Sequence, residues 1–201
     1  LCRIINGDVL MLNQLTILSN ELNTTNSKND KIDILKRHPQ LRRILNYVYN
    51  PYKMFGITSS NLKKLSHLSG NNYSDLFVLL DHLVERQITG HEAITAVNGF
   101  IDSNYQYADL IYNIIDKNLK TRTDVKLINK AFPGLIPEFR VALAHKYQDH
   151  AHKINWNKEQ WFWSRKLDGV RVLARVEKDG SVKFFSRKGK EFNTLNVIKA
   201  E

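Results

Sequence analysis

The chain has 201 residues, 42% hydrophobic and 25% charged, which suits one or two globular domains. Lys and Arg number 30 against 20 Asp and Glu, a formal net charge of +10 that favours polyanionic partners, nucleic acid first. The single cysteine, Cys2, excludes an internal disulfide and points to a reducing, cytoplasmic setting, and no apolar run reaches the roughly 18 residues of a membrane span.

Residues 1–10 lack the apolar core of a signal peptide and read as an N-terminal extension upstream of Met11, which opens a helical pattern, or equally as a genuine N-terminal tail. Residues 11–145 read as helices joined by polar loops. Leu12, Leu15 and Leu22 form an apolar stripe at helical spacing. The polar run from Asn23 to Asn29 is a loop. Ile32, Leu35, Leu41 and Ile44 suggest helical pieces on either side of Pro39. Leu76, Leu80, Leu83 and Val84 predict a helix over 74–86. Ile94, Val97 and Ile101 predict another, and Leu110, Ile111, Ile114, Ile115 and Leu119 a third. A bundle buries one face of each helix, so these stripes read as core.

Residues 118–134 carry a basic cluster. Thr123 or Asp124 can cap a helix start, leaving backbone N–H groups for a phosphate. Lys120, Arg122, Lys126 and Lys130 surround that point, and Lys126 and Lys130, four apart, share one helical face. Such a surface grips backbone phosphates without reading sequence. Phe132-Pro133-Gly134 doubles as a helix stop, with Phe132, Leu135 and Ile136 expected to be buried. The run Lys36, Arg37, Arg42 and Arg43 reads as a solvated face.

Residues 146–160 are polar and aperiodic and read as an inter-domain linker. His145, His150 and His152 fit no standard zinc spacing, so no metal site is expected there. From Trp161 the period becomes two. Val170, Val172, Ala174 and Val176 alternate with Arg171, Leu173, Arg175 and Glu177, and Asp179-Gly180 precedes a returning strand through Val182 and Phe184. The expected class is α+β: an all-helical domain followed by the start of an antiparallel β unit at 161–201. About 40 residues are too few to bury a good core alone.

One stretch carries chemistry. Lys166-Leu167-Asp168-Gly169, with Arg171 two residues on, resembles the Lys-x-Asp-Gly-x-Arg signature of covalent nucleotidyltransferases: ATP-dependent DNA ligases, RNA ligases and mRNA capping enzymes. Ser186-Arg187-Lys188-Gly189 resembles the second motif of the same group. A lysine amine attacks only when neutral, and a desolvated site with other cations lowers its pKa. Arg165, Arg171 and Arg187 supply such cations.

The helical half narrows the resemblance. Asn129-Lys130-Ala131-Phe132-Pro133-Gly134-Leu135-Ile136-Pro137 is closely similar to a segment of the DNA-binding domain of ATP-dependent DNA ligases, especially those of T-even-type phages. Lys120 to Val125 sits where that family has a phosphate-contacting turn, and the helices on either side of Thr89-Gly90 fit its paired helices. The resemblance implies a DNA-binding domain at 11–145 and the start of a nucleotidyltransferase (adenylation) domain at 161–201. It implies ATP and a divalent metal, Mg2+, as cofactors. It implies nicked double-stranded DNA as the partner of a monomeric enzyme, with roles in DNA replication, repair and recombination. Lys166 is then the nucleophile that carries AMP, and Asp168 lies near the reacting 3′-hydroxyl or its metal. Gly169 permits close backbone approach, Arg171 contacts the AMP ribose or adjoining nucleic acid, and Arg187 holds a phosphate. Lys120, Arg122, Thr123, Lys126 and Lys130 hold DNA.

The chain departs from the family in two places. The family often has Gly or Ser where Arg122 and Thr123 stand, and an acidic or amide residue where Ser164 stands. The family's later motifs are expected beyond Glu201, so this stretch alone is not expected to seal nicks. An RNA ligase or capping enzyme accounts for the lysine motif but not for Asn129 to Pro137. A non-catalytic DNA-binding module is the alternative of a different class.

Overall fold

Leucines at helical spacing build the first helix, α1 (Gly7–Asn23), on which Leu12, Leu15, Leu18 and Leu22 are all buried. The computed structural model describes residues 7–70, 73–139, 145–158, 160, 162, 165 and 168–195. It divides into two units, Leu1–Pro137 and Glu138–Glu201. Helix α1 begins four residues before Met11. Asp8 in its first turn is buried, and its carboxylate accepts the Leu76 N–H at 2.8 Å. Residues 7–10, read from the sequence as extension, are thus the opening turn of a core helix. Burial raises the Asp8 pKa above the usual carboxylate value, against the lowering effect of the Leu76 N–H.

Helix α2 (Lys28–Arg37) starts at a Ser27 cap that accepts the Asp30 N–H. Pro39 opens a 3-10 turn, Pro39–Leu41, which runs into α3 (Arg42–Tyr49). Helix α4 (Ser59–Lys64) is capped by Thr58, and α5 (Leu76–Val84) by Asp75, which accepts two N–H groups. Then come α6 (Gly90–Ser103), α7 (Ala108–Ile115) and α8 (Val125–Ala131). Their apolar faces meet in one core that runs from Leu12 to Ile136, with Phe100 fully buried. Asn98 on α6 is buried and donates to the Leu62, Leu65 and Leu68 carbonyls, which closes the end of α4.

Helices α5 and α7 stop in the same way. Arg86 (φ 63°) and Lys117 (φ 55°) adopt the left-handed conformation usually left to glycine. The next N–H, of Gln87 or Asn118, returns to the carbonyl of His82 or Asn113. Such a residue costs about 1–2 kcal/mol in backbone energy, which the Lys117 side chain offsets with hydrogen bonds. The Lys117 ammonium donates to the carbonyls of Tyr47, Asn50 and Lys53 at 2.7–2.9 Å, which satisfies the end of α3. Burial, with Lys53 nearby, lowers Lys117 to about 8. Arg86 passes over Gly56 so closely that a Cβ there would lie 1.9 Å from its Nη1, and Gly56 itself has φ +73°. Gly56→Ala is therefore expected to destabilise the unit by about 1–3 kcal/mol. The check is a lower urea midpoint at an unchanged slope. An unchanged midpoint would contradict the packing described.

The second unit, taken by itself, holds a short helix α9 (Tyr147–His150) and a 3-10 turn, Ala151–Lys153, within the stretch read as linker. Strands β1 (Val172–Val176) and β2 (Val182–Ser186) pair antiparallel, from Val172 opposite Ser186 to Val176 opposite Val182. The hairpin at Asp179-Gly180 has a three-residue connection. Glu177 N–H donates to Ser181 O, Gly180 N–H to Glu177 O, and Gly180 takes φ 82°. Asp179 accepts from the Ser181 N–H and hydroxyl, which hold its carboxyl below the usual range. The chain turns the same way after β2: Ser186 N–H donates to Lys190 O, Gly189 N–H to Ser186 O, and Gly189 has φ 81°. The alternating apolar set of β1 is not covered. Val170 and Val176 are 79% and 69% exposed, although Phe184 on the facing strand is buried.

Candidate nucleic-acid interface and nucleotide motif

The turn between α7 and α8 alternates its side chains inward and outward. Leu119 and Thr121 are buried, whereas Lys120 and Arg122 are exposed. Lys120 (φ 55°) and Arg122 (φ 53°) are both left-handed, like Lys117 just before them. Non-glycine residues hold that conformation only where their surroundings fix it. The Asn118 side chain accepts the Lys120 N–H at 2.9 Å. Thr121 Oγ1 donates to Thr123 Oγ1 at 3.0 Å, and the Tyr49 hydroxyl lies 3.5 Å from Thr121 Oγ1. Lys31 of α2, only 2% exposed, donates its ammonium to the Thr121 carbonyl at 2.6 Å and to the Arg122 carbonyl at 3.3 Å.

Of the two capping candidates, Asp124 is the one used. Its carboxylate accepts the Leu127 N–H at 2.8 Å, while Thr123 is held within the turn. The helix start thus carries its own anion, and the positive charge around it is that of side-chain cations. Lys126 and Lys130 are exposed on α8, and Leu127, Ile128 and Ala131 face the core.

Beyond α8 the chain is clamped by two amides. Asn129 donates to the Ile136 carbonyl at 2.8 Å and accepts the Ile136 N–H at 2.9 Å, and Asn46 donates to the Leu135 carbonyl at 2.7 Å. Phe132 and Ile136 are buried and Leu135 is half-buried. The Arg42 guanidinium lies 4.6 Å from the centre of the Phe132 ring and lines a hollow of about 250 Å3 with Phe132, Pro133, Gly134 and Leu135. Arg42 is thus a further exposed cation at the end of α8. Its position in sequence, 90 residues away, gave no signal of this. Its neighbours Arg37 and Arg43 are paired with Glu21 and Asp81.

Lys166 and Ser164 lie outside the described residues. Asp168 and Arg171 are exposed, and a Cβ built on Gly169 would meet nothing within 4 Å, so a ligand can approach that backbone closely. Arg171 directly precedes β1, and Arg187 opens the turn after β2. Because Val172 pairs with Ser186, the hairpin brings the two arginines to the same end of its ladder. Two exposed guanidiniums at one sheet end suit a phosphate-bearing ligand. His145 and His150 stack at 4.3 Å, and among the described residues no group of three or more His, Cys, Asp or Glu is placed to hold a metal.

Over 181 residues, 87% of its length, the chain is 30% identical to the DNA ligase of Enterobacteria phage T4. The chain is similar to phage DNA ligases. The DNA ligase of Enterobacteria phage T6 matches to the same extent, and in both cases the match spans 36% of the phage protein. A solved structure named Pmar-Lig_Pre superposes with a TM-score of 0.64 at 25% identity. Another, Pmar-Lig_PreS3, superposes with a TM-score of 0.63 at 23% identity and bears on the fold alone. Each likeness covers 92% of this chain and 45% of the other. No family model matches the chain. No described helix is long and apolar enough to cross a membrane.

Proposed function

We propose that this chain is the N-terminal part of an ATP-dependent DNA ligase, in which residues 11–145 grip duplex DNA and residues 161–201 open the adenylation domain. The observation that carries the reading is the match to two phage DNA ligases over 87% of the chain. The exposed cations Lys120, Arg122, Lys126 and Lys130 support the DNA half, with Thr123 holding the turn that bears the first two. They contact backbone phosphates and leave base edges unread, as an enzyme that seeks nicks at any sequence requires.

For the nucleotide half, Lys166 is the nucleophile. Its amine forms a bond to the α-phosphorus of ATP as the bond to pyrophosphate breaks, which leaves AMP on the lysine. Arg187 holds a phosphate, Arg171 the ribose or adjoining nucleic acid, and Gly169 lets the ligand approach the backbone. Asp168 sits toward the 3′-hydroxyl that later attacks the adenylated 5′-phosphate. A divalent cation such as Mg2+ supplies charge neutralisation at the phosphates. The protein works as a monomer in the cytoplasm, that of the host if it is phage-encoded, in DNA replication, repair and recombination.

The test is incubation of the full-length protein with α-labelled ATP, followed by a denaturing gel. Label that stays with the protein is expected. Intact duplex binding with no label would favour a non-catalytic DNA-binding module.

A further inference from the structure

We propose that Lys31 is a positioning residue for DNA binding, whose buried ammonium fixes the left-handed turn that presents Lys120 and Arg122 to the phosphates of a duplex. This rests on the reading of that turn as part of a DNA grip.

A buried lysine needs a reason. Lys31 sits on the face of α2 that packs against α8, beside the buried Ile34 and Leu35. An apolar residue there would fill the space without desolvating a charge. Burial, and then the nearby Arg122 guanidinium, lower the pKa of Lys31 from the ordinary lysine value. Its position is thus unfavourable for a cation unless its hydrogen bonds are made. The acceptors given to its ammonium are two successive carbonyls, those of Thr121 and Arg122. These belong to the two peptide groups on either side of the Arg122 Cα, and Arg122 is one of the left-handed residues of the turn. Rotation of that segment toward a right-handed conformation would turn the carbonyls away and strand the ammonium. The ammonium therefore selects the conformation in which Thr121 points inward while Lys120 and Arg122 point outward. Ordering the turn before DNA arrives removes an entropic cost from binding. A cation beneath the turn that donates to its backbone positions the phosphate contacts without making one.

The test uses the 201-residue chain and a fluorescently labelled duplex, titrated at one salt concentration, with urea unfolding measured in parallel. Lys31→Met keeps the alkyl chain and removes the ammonium. It is expected to weaken duplex binding by about tenfold, the scale of one or two phosphate contacts. In a Lys120→Gln/Arg122→Gln background the same substitution is expected to cause no further loss, because there is nothing left to position. An equal loss in both backgrounds, or no loss in either, would overturn the proposal in favour of a purely structural lysine. The surface itself is tested separately. If neither Lys120→Gln/Arg122→Gln nor Lys126→Glu/Lys130→Glu weakens binding, the DNA-grip reading falls, and this inference with it. If they weaken it and Lys31→Met does not, this inference alone falls. Should Lys31→Met fail to fold, Lys31→Gln takes its place. It too removes the ammonium that donates to the Thr121 and Arg122 carbonyls, and the same pattern of loss and coupling is expected.

Discussion

Lys166→Ala in the full-length protein is expected to abolish covalent AMP attachment, whereas Lys188→Ala and Lys190→Ala retain it. The motive is spacing: of these lysines only Lys166 is followed by Leu-Asp-Gly-Val-Arg. Lys188 lies in the exposed turn after β2, and Lys190 closes that turn through its backbone N–H and carbonyl. Both side chains are exposed, whereas a nucleophilic lysine works from a desolvated site. Labelling of the Lys166→Ala protein should fall by at least about a thousandfold, since no other group replaces an activated nucleophile. Lys166→Arg should fail equally, because a guanidinium stays protonated and cannot attack phosphorus. Both variants should still bind duplex through the helical unit. Both should weakly seal a nick supplied already adenylated at its 5′ end, since that step needs no lysyl-AMP. The measurement is AMP labelling followed by peptide mapping. Label on any residue other than Lys166 would overturn the catalytic assignment and leave the DNA-binding assignment standing.

The second large effect belongs to α8. Lys126→Glu/Lys130→Glu should weaken duplex binding about a hundredfold at moderate salt, uniformly across sequences. Two phosphate contacts are lost and two repulsions added. The slope of log affinity against log salt should fall by about two, since each neutralised phosphate contributes close to one. Stability should hardly change, because α8 is fixed by the buried Leu127, Ile128 and Ala131 and capped by Asp124, none of which is altered. Affinity of the unmodified chain should itself drop steeply with added salt. A salt-independent affinity would sink the idea that these cations grip phosphates, and a loss at some sequences only would mean that α8 reads bases.

Local periodicity and local chemistry were legible in the order of residues alone. The leucines of α1 and the apolar stripe of α5 were legible because a buried helix face repeats at 3.6 residues whatever it packs against. The hairpin was legible because Asp179-Gly180 supplies a left-handed glycine between two alternating runs. Lys126 and Lys130 were legible as one face because four residues make about one helical turn. The nucleotide motif was legible as a spacing, and Lys166 itself lies outside the described residues.

The remaining features depend on residues that meet only once the chain is folded. Nothing near Lys31 in sequence marks it as buried, because its partners are backbone carbonyls 90 and 91 residues away, and carbonyls have no residue signature. The same reason hid Lys117, whose ammonium closes the end of α3. Arg42 sat in a basic run that read as a solvated face, and it is exposed, but only the placement of α3 brings it over Phe132. The choice of Asp124 over Thr123 as cap followed from Thr121, which engages the Thr123 hydroxyl inside the turn. The exposed valines of β1 show the same limit from the other side. Alternation marks a face as apolar, but burying that face takes a covering element, and a two-stranded hairpin cannot cover itself.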